Sequence, residues 1–273
     1  MYKKHNTYYI ILHICVFSVF VLASCNSSTK WNDIDFYQVD KLEQLTEKPL
    51  VEDDDEFASM RDTADRTMDV RVDMQFMKSD VDENENVCRL INDQLIEIVL
   101  NQSSEMTVDE AVERYIEVKK QEFHADEITP EMYVHLTGRA EYGAKDIINY
   151  RLTEEFYTGG AHPCITTTLL CFNALTGEFI SIDNLFNYQH QQTLKEMLLN
   201  KLMKDKNAQN LEELRKMGYL EMMEMFISPN FALREDSIEF YYNEYDIAPY
   251  ATGPTKICLS YDDIKAYISD IFE

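Results

Sequence analysis

The stretch Asn149–Phe186, NYRLTEEFYTGGAHPCITTTLLCFNALTGEFISIDNLF, decides how this chain is read. It holds three of the seven glycines, Gly159, Gly160 and Gly177, each placed where an apolar alternation breaks. Glycine reaches positive φ at little cost, so the breaks predict turns. The layout is strand, tight turn, strand, turn, short strand. Connections this short cannot make parallel crossovers, which predicts an antiparallel sheet.

Working outward, Met68 to Met77 alternates with period two and predicts a half-buried strand carrying Met68, Val70, Val72, Met74 and Phe76 on one face. The period then changes. Val87, Leu90, Ile91, Leu95, Ile98 and Val99 form a helical stripe, and Thr107 with Glu110 is a capping box that opens a second helix through about Phe123. Tyr133 to Ala144 and Asp146 to Thr158 read as strands joined near Gly143, and Ile165 to Phe172 as a third, its threonine run suited to a sheet with one wet face. Phe179, Ile180 and Ile182 are expected to end the meander. Beyond it, Gln191 to Asp205 and Asn210 to Phe226 predict helices, the second with a stripe of Leu211, Leu214, Met217, Met222 and Met225. Such a stripe fills a core or forms an adaptable groove. Phe231 to Leu233 and Ile238 to Tyr242 predict a hairpin, Thr255 to Leu259 a strand, and Ser260 with Asp263 the cap of a closing helix that runs past Ile271. The fold class is α+β, an antiparallel sheet with helices packed on it.

The N-terminus carries the most specific local signal. Lys3 and Lys4 precede an apolar run from Tyr8 to Leu22, shorter than the roughly 20 residues a spanning helix needs. Leu22-Ala23-Ser24-Cys25 resembles a bacterial lipobox, which implies a cleaved export signal over residues 1–24 and a diacylglycerol on the thiol of Cys25. Residues 25–65, with the acidic run Glu52 to Glu56, read as a lipidated tether in which Ile34, Phe36 and Val39 make a short edge strand. The expected location is the cell envelope, on a lipid anchor in a bacterial membrane, the outer membrane by preference.

The 273 residues carry 25 Lys and Arg against 50 Asp and Glu. Without the first 24 residues the balance is 23 against 50, a net charge of −27. That field repels nucleic acid and anionic head groups and favours a cationic protein or peptide. Cys88, Cys164, Cys171 and Cys258 remain after export and lipidation, without CxxC spacing, so neither zinc nor a redox motif is expected and their pairing stays open.

Four motifs in order, Tyr157-Thr158-Gly159-Gly160-Ala161-His162-Pro163, Phe172-Asn173 with Thr176-Gly177, Ile182-Asp183-Asn184-Leu185-Phe186, and Tyr245-Asp246-Ile247-Ala248-Pro249-Tyr250-Ala251 with Gly253, resemble an extracytoplasmic pair of domains of unknown function. The pair is found outside the membrane in the anti-sigma factor RsiV and beside the catalytic domain of the peptidoglycan deacetylase PdaC. The resemblance spans about Met68 to Ile271 and implies two adjacent α+β domains, 66–178 and 179–273. In RsiV the corresponding region is a lysozyme receptor, so the resemblance implies a receptor-like binding module. The cytoplasmic sigma-binding segment and the deacetylase domain have no counterpart here.

The residues themselves offer little catalytic chemistry. His162 sits in a glycine-flanked turn, with Asp183 and Ser181 nearby in sequence but no nucleophile elbow around them. His124 and His135 lack a metal-ligand spacing, and no cofactor is expected. Tyr157, Gly159, Gly160, His162, Tyr245 and Tyr250 are the candidate binding residues, because tyrosine offers a large apolar face with a polar tip. Three functions stay open: a binding module for a lysozyme-like cationic protein or for peptidoglycan, an enzyme or enzyme accessory acting on peptidoglycan through His162 and Asp183, and a structural envelope component.

Overall fold

The computed structural model describes residues 34–47, 66–123 and 131–268. The export signal, Cys25 and the acidic run at 52–56 lie outside the described residues. A five-stranded sheet is built from β1 (Asp35–Glu47), β2 (Arg66–Lys78), β3 (Glu131–Tyr142), β4 (Ile147–Tyr157) and β5 (Cys164–Asn173), in that spatial order. The tether reading is corrected over 35–47, because β1 pairs with β2 through all of its length as a full edge strand.

The sheet is mixed rather than wholly antiparallel. β2 and β3 run parallel, because α1 (Asp82–Ile98) and α2 (Val108–Phe123) lie between them and give the chain room to cross back. The helices seal the inner face. Val70, Val72, Met74 and Phe76 of β2 are fully buried with Ile91 and Leu95 of α1 and Ala111 and Val112 of α2. The capping box forms as expected: Glu110 N–H donates to Thr107 Oγ1 (3.3 Å) and Thr107 N–H to Glu110 Oε2 (2.9 Å).

The turn at Gly177 follows β5, and one strand expectation fails there. Phe179 makes a single bridge to Phe172, and Ile182 begins a four-residue helix, α3 (Ile182–Leu185), boxed by Ser181 and Asn184. Gly177 has φ of +77°, and a Cβ on it would meet Val87 O and Leu90 Cβ of α1 at 3.0 Å. Gln94 ties the same turn to α1 by donating to Gly177 O (2.7 Å) and accepting from Phe179 N–H (3.1 Å). Gly177→Ala is therefore expected to cost about 1–2 kcal/mol from the left-handed backbone alone, with the α1 contact adding to it. Thermal unfolding with matched denaturant titration measures it, and an unchanged Tm would contradict this view of the turn.

A second core gathers around α4 (Gln191–Asp205), α5 (Leu211–Lys216) and a three-stranded antiparallel sheet of β6 (Phe231–Leu233), β7 (Ser237–Tyr242) and β8 (Thr255–Ser260). Leu194, Leu198 and Leu202 of α4 are buried in it. The long methionine-striped helix expected over 210–226 is not formed. α5 stops before Gly218 (φ +92°), and Leu220, also at positive φ (+54°), donates its N–H to Ile247 O (2.8 Å). The stripe splits: Leu214 and Met225 enter the core, with Tyr219 and Leu220, and Leu211 packs against it, while Met217 and Met222 stay exposed. The closing helix is likewise short, α6 (Tyr261–Ile264), after which Ile268 bridges to Phe186; Ile271 lies outside the described residues.

The two regions expected to part at 178/179 meet along β4 and β5. Ile147 of β4, Cys171 of β5 and Ala144 of the turn before β4 pack into the second core. Three asparagines stitch the junction. Asn149, wholly buried, donates to Leu233 O (2.9 Å) and accepts from Leu233 N–H (3.0 Å). Asn230 accepts from Leu169 N–H (2.7 Å) and donates to Thr167 O (2.7 Å). Asn243 accepts from Thr167 N–H (2.8 Å) and donates to Thr167 O (3.0 Å). Primary amides carry donor and acceptor side by side, so Asn230 and Asn243 occupy the edge of β5 much as another strand would, and Asn149 of β4 does the same for Leu233 of β6.

Candidate binding surface

Alternation along each strand gives the five-stranded sheet a second face, and only the β4 and β5 end of it is covered by the second core. Asp69, Arg71, Asp73 and Gln75 of β2 point that way, as do Tyr133, His135, Thr137 and Arg139 of β3, while their neighbours Val70, Val72, Val134 and Leu136 are buried. The register sets Tyr133 beside Tyr157 and His135 beside Glu155 across the β3–β4 pair. His135 stacks on Tyr133 with ring centroids 4.8 Å apart, and Tyr133 lies 5.9 Å from Tyr157. Tyr133 donates its hydroxyl to Glu155 (2.8 Å), and that bond holds the phenol pKa above its ordinary value.

The row continues through the glycine turn. Tyr157 donates its hydroxyl to Gly160 O (2.9 Å), with Gly159 and Gly160 at φ of +100° and +110°. Two residues on, the exposed His162 stacks face to face on Tyr250 at 3.7 Å and 12°, and Tyr250 lies 6.0 Å from Tyr245 at 29°. His162 Nδ1 sits 3.0 Å from Pro163 O. Tyr250 opens a single 3-10 turn after Pro249. Tyr245 has φ of +69° and is 62% exposed. A bulky residue held in left-handed backbone with its ring in solvent points to use of the ring. Its N–H donates to Ala248 O (3.0 Å), and Asp246 accepts from Asn243 N–H (2.7 Å), which fixes the loop to the asparagine clasp on β5.

The six candidate residues thus form two groups, Tyr157 with Gly159 and Gly160 in the turn and His162 with Tyr250 and Tyr245 in a stack, which meet in the hairpin between β4 and β5, and Tyr133 and His135 join the first. The spacing Tyr133, His135, Thr137, Arg139 against Met132, Val134, Leu136 was the signal that could have found them. The catalytic reading gains no geometry: Ser181 donates its hydroxyl to Asn184 (2.8 Å) in the box on α3, and His162 is held by Tyr250 and Pro163.

Beside the aromatic row, a charged cluster spans the junction. Arg151 donates to Glu141 (2.6 Å), Arg234 donates to Glu141 (2.7 Å) and Glu239 (3.2 Å), and Lys256 lies 3.6 Å from Glu239. Arg151 and Lys256 both lie over the ring of Tyr241, at 5.7 and 5.8 Å. Burial alone would push the Glu141 carboxyl up, but hydrogen bonds from Arg234 and Arg151 outweigh it and hold the pKa below the usual range. Two further ion pairs, Arg71–Asp40 (2.8 Å) and Arg139–Asp73 (2.5 Å), lie on the open face.

Arg71, Arg139, Arg151, Arg234 and Lys256 stand on or beside this face against Asp40, Asp69, Asp73, Glu131, Glu141, Glu155 and Glu239, and the loop that carries Tyr245 adds Glu244 and Asp246. Five cations face nine carboxylates, so the surface keeps the acidic excess of the chain.

Among the described residues no group of His, Cys, Asp and Glu is placed to hold a metal ion, and no helix is long and apolar enough to cross a membrane. The four cysteines from Cys88 onward are free. Cys88 and Cys171 are buried, and Cys164 is exposed.

Comparison with known proteins gives the surface a family context. Residues 183–262 match the family described as "Protein of unknown function (DUF3298)". Peptidoglycan-N-acetylmuramic acid deacetylase PdaC of Bacillus subtilis (strain 168) is 26% identical over 178 residues, which are 61% of this chain and 36% of PdaC. This chain thus covers little more than a third of that relative. The crystal structure of a DUF3298 family member from Bacteroides fragilis NCTC 9343 superposes with a TM-score of 0.68 at 24% identity, over 87% of this chain and 94% of the other. A DUF3298 protein from Pseudomonas aeruginosa PAO1 gives 0.60 at 11% identity, over 88% and 97%. Residues 183–262 thus match the DUF3298 family model, and the chain shares the fold of the solved DUF3298 proteins.

Proposed function

We propose that this chain is a cell-envelope binding module that holds the glycan of peptidoglycan against the aromatic row of the open sheet face. The observation that carries the reading is the set of paired rings His135, Tyr133 and Tyr157 on the sheet and His162, Tyr250 and Tyr245 beside the hairpin. Sugar rings present apolar C–H faces that pack on aromatic rings, while their hydroxyl and amide groups need polar partners of the kind Glu155, Thr137 and Thr153 supply. Similarity to a protein named for deacetylating peptidoglycan supports the substrate class and an extracytoplasmic location. A lipid on Cys25 after removal of residues 1–24 would tether the module to the membrane, most simply the outer membrane, by the motif Leu22-Ala23-Ser24-Cys25.

A second reading, capture of a lysozyme-like cationic protein, is favoured by the net charge of −25. Co-sedimentation with purified peptidoglycan sacculi, run beside a pull-down on immobilised lysozyme, separates the two. The glycan reading expects sacculus binding that persists in high salt and falls about tenfold or more in Tyr250→Ala, as a central aromatic contact does when truncated. Binding to lysozyme alone, abolished by salt, would overturn it.

A further inference from the structure

We infer that β1 is a dimerisation edge, taking the β1 strand of a second copy of this chain so that two five-stranded sheets join with their open faces continuous. β1 is an end strand, thirteen residues long, without proline, and in unbroken register with β2. Among the described residues no strand pairs with its other edge. Natural proteins guard such edges with shortness, bulges, proline or unpaired inward charge. The first three are missing here. The inward charges are already neutralised: Lys41 pairs with Glu113 (3.0 Å) and Asp109 (3.6 Å), and Glu43 with Lys120 (2.8 Å).

What selects a second copy as the occupant is the self-complementarity of the strand. A two-fold axis perpendicular to the sheet keeps each residue on the same face in both copies, so one residue must lie opposite itself. With Leu42 on the axis, Lys41 faces Glu43, Asp40 faces Gln44, Val39 faces Leu45 and Gln38 faces Thr46 of the partner copy. Every pair is compatible in charge or polarity. Moving the axis to Asp40, Lys41 or Glu43 opposes like charges instead. Leu42 is also the one large apolar side chain of β1 that stands exposed, at 48%, on an otherwise polar face. Pairing with its copy covers it. The consequence is avidity, since two aromatic rows then share one surface.

The test uses the full chain. Leu42→Cys is placed in a Cys164→Ser background, which removes the exposed native thiol, and oxidised under mild conditions with the Cys164→Ser parent run alongside. Cross-strand Cβ atoms on the axis lie about 4.5–5.5 Å apart, close enough for a disulfide after small adjustment. The expected result is a covalent dimer from Leu42→Cys well above the parent, little from Gln38→Cys, and a dimer mass by light scattering that Leu42→Arg converts to monomer. The dimer fraction should rise with salt, because screening relieves repulsion between two acidic chains. A monomeric chain at high micromolar concentration in high salt, or equal cross-linking at Gln38 and Leu42, would overturn the proposal.

Discussion

Asn149→Leu is expected to lower stability by about 3 kcal/mol, roughly 6–12 °C in Tm for a domain of this size, although leucine keeps the branched heavy-atom skeleton of asparagine. The side chain is wholly buried, and its amide is the direct link between β4 and β6. Leucine would leave Leu233 N–H without that acceptor in a water-free site. Leu233 O retains Ala144 N–H at 2.9 Å, so the loss falls mainly on the donor. The thiol of Cys171 loses one of its two acceptors, at 3.2 Å, and keeps Phe231 O at 3.4 Å. Burial already pushes that thiol up to about 12, so it stays protonated and cannot compensate by ionising. Denaturant unfolding of the variant measures the effect. A change under 1 kcal/mol would show that the two cores do not depend on the asparagine clasp.

Arg234→Met is expected to cost about 2 kcal/mol near neutral pH, because it removes a guanidinium shared by the half-buried Glu141 and the buried Glu239, which keep only Arg151 and, for Glu239, Lys256. Methionine keeps most of the volume, so the loss is electrostatic. The pH dependence gives the sign. The Glu141 pKa is depressed below 4.5 in the fold, so its contribution is present above the unfolded value and fades as pH falls through the folded one. The gap between wild type and variant should therefore be widest from about pH 5 upward and narrow as the solution is acidified below about pH 4. Arg234→Lys restores the charge but not the forked geometry that reaches both carboxylates, so it should recover only part of the loss. A gap independent of pH would assign the cost to packing instead.

Strands β2 to β5 were legible because each alternates, as Met68 to Phe76 does, and because glycines mark the turns after β3, β4 and β5, whereas most of β1 was hidden in a polar stretch that read as a tether. The parallel pairing of β2 with β3 was not legible, since the glycine turns speak only for β3 to β5 and the partner of β2 depends on where two helices send the chain. Periodicity misled over 210–226. The spacing of Leu211, Leu214, Met217, Met222 and Met225 is helical, yet Gly218 and the left-handed Leu220 end the helix for a tertiary bond to Ile247. The candidate tyrosines were legible as a list, because motifs 157–163 and 245–253 stood out. Their stacking was not, since His162 and Tyr250 are distant in sequence and meet only because Asn243 fastens the second loop to Thr167. The charged cluster escaped for the same reason: Glu141 and Arg234 belong to different cores and meet across the junction.

Calorimetric titration of the full chain with a soluble N-acetylated glycan fragment of peptidoglycan, repeated with Tyr250→Ala and with Tyr157→Ala, tests the binding face most directly. Saturable binding that both substitutions weaken by about tenfold or more, with their folds intact by circular dichroism, is the predicted result. Wild-type heats indistinguishable from dilution, or equal affinity in wild type and both variants, would contradict it.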